Sequence, residues 1–433
     1  MTTTVIAHAH LLTVDPLDTI IADGAVAFDA EGTILAVGPS AEVLVAHPAA
    51  VVVDAHGALC LPGLVNAHTH LAMTMLRGLA DDRDLQGFLD VIMPIEARVL
   101  SARTVRLSSR LAFAESLRAG CTAALDMFWW PEVVAEEAVA AGFRLRNGPV
   151  FVGFPGPDDR SFEDRMRWAD DQLAAAPARA RWVFPHSTYT LDLDQLRAIA
   201  ALAERHGARV HVHAAENAAE VAMVRERYGR SPIGVLDDVG LLGPHVTLAH
   251  AVALDDDEIA CVAATGTMVS HCPLSNLKLA SGVCRVPELL AAGVTVGLGT
   301  DGCSSSNDLD LFVALRFAAL VPKGVFGDAT AVPAAAALRM ATMGSARAVG
   351  LDDLVGSIEV GTQADLVLLD PMSPSLVPTF DPIGTVVYAA GRGDVTDVWV
   401  AGRHVVRNRT LTTIDLPGTV AAMRELQAEV ASA

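Results

Sequence analysis

The sequence predicts an α/β protein, a (β/α)8 TIM barrel carrying a small β-sandwich domain built from both termini. Three observations carry that expectation. Short apolar runs alternate with alanine-rich segments at helical spacing from Leu61 to about residue 350. Strand-like segments punctuated by turns occupy both ends of the chain. Histidines and acids fall at the C-terminal ends of the apolar runs, the rim on which such a barrel places its chemistry.

The elements follow in order. Ala25–Asp29 and Thr33–Gly38 flank Glu31-Gly32 and read as a hairpin, and Val51–Asp54 reads as a further short strand. Buried strands are then expected at Thr122–Met127, Trp182–Pro185, Arg209–His213, Val246–His250, Thr267–His271 and Thr295–Thr300. Between them, Leu191–His206 and Asp255–Thr265 have helical spacing. Strands covered on both faces by crossover helices should be mostly apolar, and these are. Strands return at Ala364–Asp370 and Val395–Val400, with a hairpin over Val400–Val406, and Thr419–Ala433 reads as a terminal helix. The expected division is a sandwich from 1–60 plus 355–425 and a barrel from 61–354.

With 52% hydrophobic residues, the 433-residue chain can bury a large core, and 19% charged residues mark it as globular. Its formal net charge of −20 repels phosphate backbones and anionic lipid, so neither nucleic acid nor a membrane is expected as a partner. No secretory signal opens the sequence, and no run reaches the roughly 18 apolar residues of a membrane span. Cys60, Cys121, Cys261, Cys272, Cys284 and Cys303 lack paired spacing and read as small buried hydrophobes in a cytoplasmic protein.

His68 and His70 lie two apart on one expected strand, so both imidazoles can reach one ion. His211 and His213 end the next histidine-bearing run; one of them can be a third ligand, with Glu216 nearby as a proton shuttle. His250 and His271 each end a run of their own. Asp301 ends another, as a hard anionic ligand able to take a proton from water, or as a helix cap.

Carried by Pro62–His70, Met75–Asp82, Met93–Glu96, Pro185–Thr190, His213–Glu216, His250, Ser270–Leu279 and Gly299–Gly302, the chain resembles the amidohydrolase superfamily. Within it, the resemblance is to the branch of methylthioadenosine/S-adenosylhomocysteine deaminases and chlorohydrolases. That resemblance implies one divalent metal ion, zinc by default with iron or manganese as alternatives, on His68, His70, His213 and Asp301. Two-metal members place a carboxylated lysine after the fourth strand, whereas here Pro185-His186 ends it and the only lysines are Lys278 and Lys323. It further implies Glu216 as proton carrier, with His250 and Asp301 orienting the attacking water. Glu96, His186 and Ser305 are implied as substrate contacts.

The implied activity is hydrolytic deamination of an adenosine-type nucleoside: methylthioadenosine, 5′-deoxyadenosine, adenosine or S-adenosylhomocysteine. The arginine that holds the homocysteine tail in this branch has no equivalent, Pro149 standing at the nearest position, while Arg160 matches a second arginine of that loop. Trp129-Trp130 stands where relatives carry smaller aromatics, with Trp129 read as a substrate contact. These departures favour a smaller or less charged 5′ substituent. The competing readings are hydrolysis of another amino- or chloro-substituted heterocycle (guanine, a pterin or a triazine) on the same site, and a non-catalytic scaffold. A homo-oligomer is expected by analogy with the family.

Overall fold

The computed structural model describes residues 3–432. The N-terminal segment supplies β1 (Thr4–Leu12), β2 (Ile20–Phe28), β3 (Ile34–Pro39), β4 (Val51–Asp54) and β5 (Leu59–Pro62). The middle supplies β6 (Leu64–His70), β7 (Cys121–Asp126), β8 (Arg144–Arg146), β9 (Val150–Phe151) and β10 (Trp182–Pro185). It continues with β11 (Arg209–Ala214), β12 (Val246–His250), β13 (Met268–His271), β14 (Val296–Leu298) and β15 (Asp301–Gly302). The C-terminal segment adds β16 (Leu366–Leu369), β17 (Val395–Val400), β18 (Arg403–Arg407) and β19 (Thr410–Leu411).

The two ends of the chain share one nine-stranded mixed sheet, in the order β19-β18-β17-β16-β5-β1-β2-β3 with β4 beside β1. β5 is the seam, antiparallel to β16 on one side and parallel to β1 on the other. Period-two alternation sorts the side chains of β1 and β2. Val5, Ala7, Ala25 and Ala27 pack under Val43 of the helix Ser40–Ala46, whereas Ile6, Val26 and Phe28 join Ile34, Leu366 and Trp399 in a separate core.

All strands of the middle segment pair in parallel. They form a six-stranded sheet, β14-β13-β12-β11-β10-β9, and a four-stranded one, β15-β6-β7-β8. The chain passes directly from one sheet to the other between β8 and β9 and again between β14 and β15, and β14 also lies against β6. Val65, Val183, Val210, Val212, Leu248 and Val269 are fully buried, as strands covered on both faces require.

The helices Leu193–His206 and Asp256–Thr265 open on reciprocal caps, Asp192 with Gln195 and Asp255 with Glu258. They stop where Gly207 and Gly266 turn left-handed. The terminal helix Leu416–Ser432 begins ahead of the expected Thr419 and packs on the helix Ala102–Arg118. Ala433, expected as its last residue, lies outside the described residues. Among the described residues no helix is long and apolar enough to cross a membrane. All six cysteines are free thiols, and only Cys261 is not buried.

Candidate active site

Three strand ends converge on one cluster of imidazoles. β6 delivers His68 and His70, β11 delivers His211 and His213, and β12 delivers His250. Each ring is pinned through Nδ1. His70 Nδ1 donates to the Met127 carbonyl at 2.5 Å, and His213 Nδ1 donates to the His186 carbonyl at 2.8 Å. His250 Nδ1 meets Asn276 Oδ1 at 2.9 Å. His211 Nδ1 donates to the Thr247 carbonyl at 2.9 Å, so its Nε2 accepts from His68 Nδ1 at 2.8 Å. The carbonyls place a proton on Nδ1 of His70, His211 and His213, and His211 in turn places one on Nδ1 of His68, so Nε2 is the nitrogen that His68, His70 and His213 turn toward one another.

Asp301 faces that cluster. Its Oδ1 lies 3.3 Å from both His68 Nε2 and His70 Nε2, while Ser275 Oγ donates to its Oδ2 at 2.6 Å. Ligand-capable atoms of His68, His70 and Asp301 lie within 4.8 Å of one another, as do those of His68, His213 and His250. His68 Nε2 is buried and has no hydrogen-bond partner. Three imidazoles and one carboxylate around an orphaned, inward-facing nitrogen fit one divalent cation, which would displace the proton that Asp301 otherwise holds on His70. Burial opposes charge on His70, yet the adjacent Asp301 carries it up to about 9. Burial holds His68 down at about 4. Against its own burial, the adjacent His68 and His70 rings keep Asp301 well below the usual carboxylate range.

Glu216 Oε2 lies 3.8 Å from His250 Nε2, and burial raises the Glu216 carboxyl. The following helix, Ala218–Tyr228, holds this corner through Glu220, whose Oε2 accepts from the Glu216 amide at 2.6 Å and Oε1 from the Ala215 amide at 3.2 Å. His250 and Asp301 both sit in left-handed backbone, at φ 74° and 60°. That conformation costs a non-glycine residue about 1–3 kcal/mol and persists only where surrounding contacts enforce it.

The cluster opens into a cavity of about 600 Å³. His70, His186, His213, Glu216, His250, Asp301, Glu96, Ser305 and Trp129 all line it. Glu96, on the helix Leu85–Val99, is half-buried, with its Oε1 buried and partnerless; burial pushes its carboxyl up to about 7. His186 is held neutral, its pKa near 3 through burial and the neighbouring histidines. Ser305 Oγ donates to the Gly302 carbonyl at 3.0 Å.

The amidohydrolase family profile matches residues 59–405. The chain belongs to the amidohydrolase family. It is 41% identical over 428 residues to a 5-methylthioadenosine/S-adenosylhomocysteine deaminase of Syntrophobacter fumaroxidans, covering 97% of this chain and 96% of the relative. It is 37% identical to a 5′-deoxyadenosine deaminase of Methanosarcina mazei, covering 95% and 94% of the two chains. Among solved structures, an adenosine deaminase from Xanthomonas campestris with bound zinc superposes with a TM-score of 0.95 at 38% identity. That match covers 100% of this chain and 99% of the other.

In this amidohydrolase Arg160 and Trp130 stand outside the cavity lining. Arg160, expected as a substrate contact, is not among the lining residues: its guanidinium pairs with Asp158 at 2.8 Å and stacks on Trp168 at 4.3 Å. Trp130, given no contact by the sequence, is the left-handed residue that opens the helix Pro131–Ala141. Neither lysine reaches the cluster, since Lys278 binds Asp81 and Lys323 the Ala329 carbonyl. The sequence reading assigned no role to Glu220, Ser275 or the apolar wall from Leu85–Val99. Glu220 stands four residues after Glu216, a spacing that could have marked it.

Proposed function

We propose that this amidohydrolase is a hydrolytic deaminase of adenosine-type purine nucleosides, working with one divalent metal ion, zinc by preference, on His68, His70, His213 and Asp301. One observation carries the reading: the buried Glu216 carboxylate faces the histidine and Asp301 cluster inside a single cavity. The deaminase names of the similar proteins support the substrate class. The proposal takes the two parallel sheets as one closed (β/α)8 barrel over 61–354. It takes the nine-stranded sheet as a small β-sandwich from 1–60 plus 355–425.

A bound divalent cation supplies activation of water at neutral pH, lowering its pKa to about 7. Glu216 takes the proton that water releases and hands it to the ring nitrogen beside the carbon under attack. A C–O bond forms, the C–N bond to the exocyclic amine breaks, and ammonia leaves with a second proton. Burial opposes charge on His250, but the Glu216 and Asp301 charges raise its pKa, so it can donate to the oxyanion of the tetrahedral intermediate. The partnerless Glu96 oxygen is free to accept from ribose hydroxyls, a use that a triazine ring does not offer.

The test is ammonia release and ultraviolet change with adenosine, 5′-deoxyadenosine, methylthioadenosine, guanine, a pterin and a chlorotriazine. Inosine-type products from the adenosines are expected. Silence on every adenosine with turnover of another ring would discard the substrate class and keep the metal site.

A further inference from the structure

Resting on the deaminase reading, the inference concerns the end of the nucleoside farthest from the reacting carbon. With the purine at Glu216 and ribose at Glu96, the 5′ substituent points to the remaining wall. That wall is apolar: Leu85, Phe88 and Leu89 come from the helix Leu85–Val99, and Phe154 and Pro157 from the segment 152–159.

Among the described residues, no lysine or arginine side chain lines the cavity. Its formal charges other than histidine are all carboxylates: Glu96, Glu216 and Asp301 inside and the exposed Asp159 at the mouth.

The two nearby arginines are withdrawn from it. Arg165 is buried and bidentate on Asp158, at 2.9 and 2.6 Å, and Arg160 pairs with the same carboxylate at 2.8 Å. Arg165 also stacks behind Trp129, 4.9 Å from its ring centre, so the cavity meets the indole and not the cation. Gly156 lets the backbone pack against the indole of Trp129: a Cβ there would lie 2.4 Å from the ring. Asp158 thus holds both guanidiniums that could have met an anionic substrate group away from the cavity lining.

We propose that the 5′ subsite selects nucleosides with an uncharged, apolar 5′ substituent, a methyl or short alkylthio group, and rejects an amino-acid tail. The ammonium of such a tail has Asp159 to meet. Its carboxylate would be desolvated against apolar wall and carboxylates, with no lysine or arginine to pair with.

The experiment compares kcat/KM of the zinc-loaded enzyme for 5′-methylthioadenosine, 5′-butylthioadenosine and S-adenosylhomocysteine. The butyl compound has nearly the length of the homocysteine tail without its charges. Both neutral compounds are expected to exceed S-adenosylhomocysteine by about 100-fold, the scale on which sites reject an unpaired polar group. S-adenosylhomocysteine within tenfold of either neutral compound overturns the proposal; the butyl compound failing alongside it would mean that length, not charge, is excluded. No ammonia from any of the three, with adenosine or 5′-deoxyadenosine still deaminated, overturns the proposal; silence on those two as well overturns the deaminase reading itself.

Discussion

His68 Nδ1 lies 2.8 Å from His211 Nε2, and that one contact decides which nitrogen of His68 faces the active site. His211 spends its own proton on the Thr247 carbonyl, so it must accept from His68, whose Nε2 lone pair is then aimed inward. In the proposed site His211 therefore orients the ligand His68 without being one. His211→Leu should weaken zinc binding about 10–100-fold, the usual cost of losing such a support. His211→Gln, which keeps an acceptor, should lose less. A competition titration with a chromophoric chelator measures both, and unchanged affinity in the leucine variant would refute the role.

Removal of the metal should abolish ammonia release, and about one equivalent of zinc per chain should restore it. The buried, partnerless Nε2 of His68 motivates the expectation. Persistent turnover by protein shown to be metal-free would leave the cluster without its proposed purpose.

Glu216→Gln should retain zinc while kcat falls by about 10²–10⁴-fold, the range for a general acid–base group. The amide is nearly isosteric and keeps the contacts of this corner, but cannot accept the water's proton. Metal content and ammonia release measured on one preparation separate the two effects; a near-normal kcat would remove Glu216 from the mechanism.

Much of this site is legible in the sequence because its chemistry sits where apolar runs end. Trp182–Pro185 and Val246–His250 begin and end as the runs of apolar residues do. The break between β14 and β15 is not legible: Thr295–Thr300 reads as one strand, whereas the chain changes sheets around Gly299 and turns left-handed at Asp301. Nor is the fate of Arg160. Its partner Asp158 is two residues away, but whether that pair faces the cavity depends on Arg165 and Trp129, brought together only by tertiary packing. Local pattern places the reacting groups on strands, whereas the substrate wall depends on how loops and helices lie over them.

Glu96 should leave a signature in stability against pH. Burial lifts its folded-state pKa to about 7, above the roughly 4.3 of an unfolded chain. Between those values the folded protein holds a proton that the unfolded chain has lost, so this group's contribution to stability falls as pH rises through the window. Glu96→Gln removes that slope. At equal metal content, the variant's melting temperature relative to the parent should climb from pH 5 to pH 8. A flat difference would show that the carboxyl is not perturbed.

Gly299 tests how tightly β14 abuts the metal-facing strand. A Cβ there would lie 2.9 Å from Cys272 Sγ, His68 Cβ and the His68 carbonyl oxygen. Two of those contacts belong to His68, so the added methyl has to push the β6 strand end or shift its own strand. Overpacking of this kind costs about 1–3 kcal/mol. Displacing His68 also disturbs its bond to His211, so stability and zinc affinity should fall together in Gly299→Ala. Gly391→Ala is the control: nothing lies within 4 Å of its added Cβ, and its φ of −151° suits any residue. Denaturant unfolding and zinc titration on both variants distinguish the cases. Gly299→Ala with parental stability and affinity would show that β14 can yield, and that His68 is not held by packing against it.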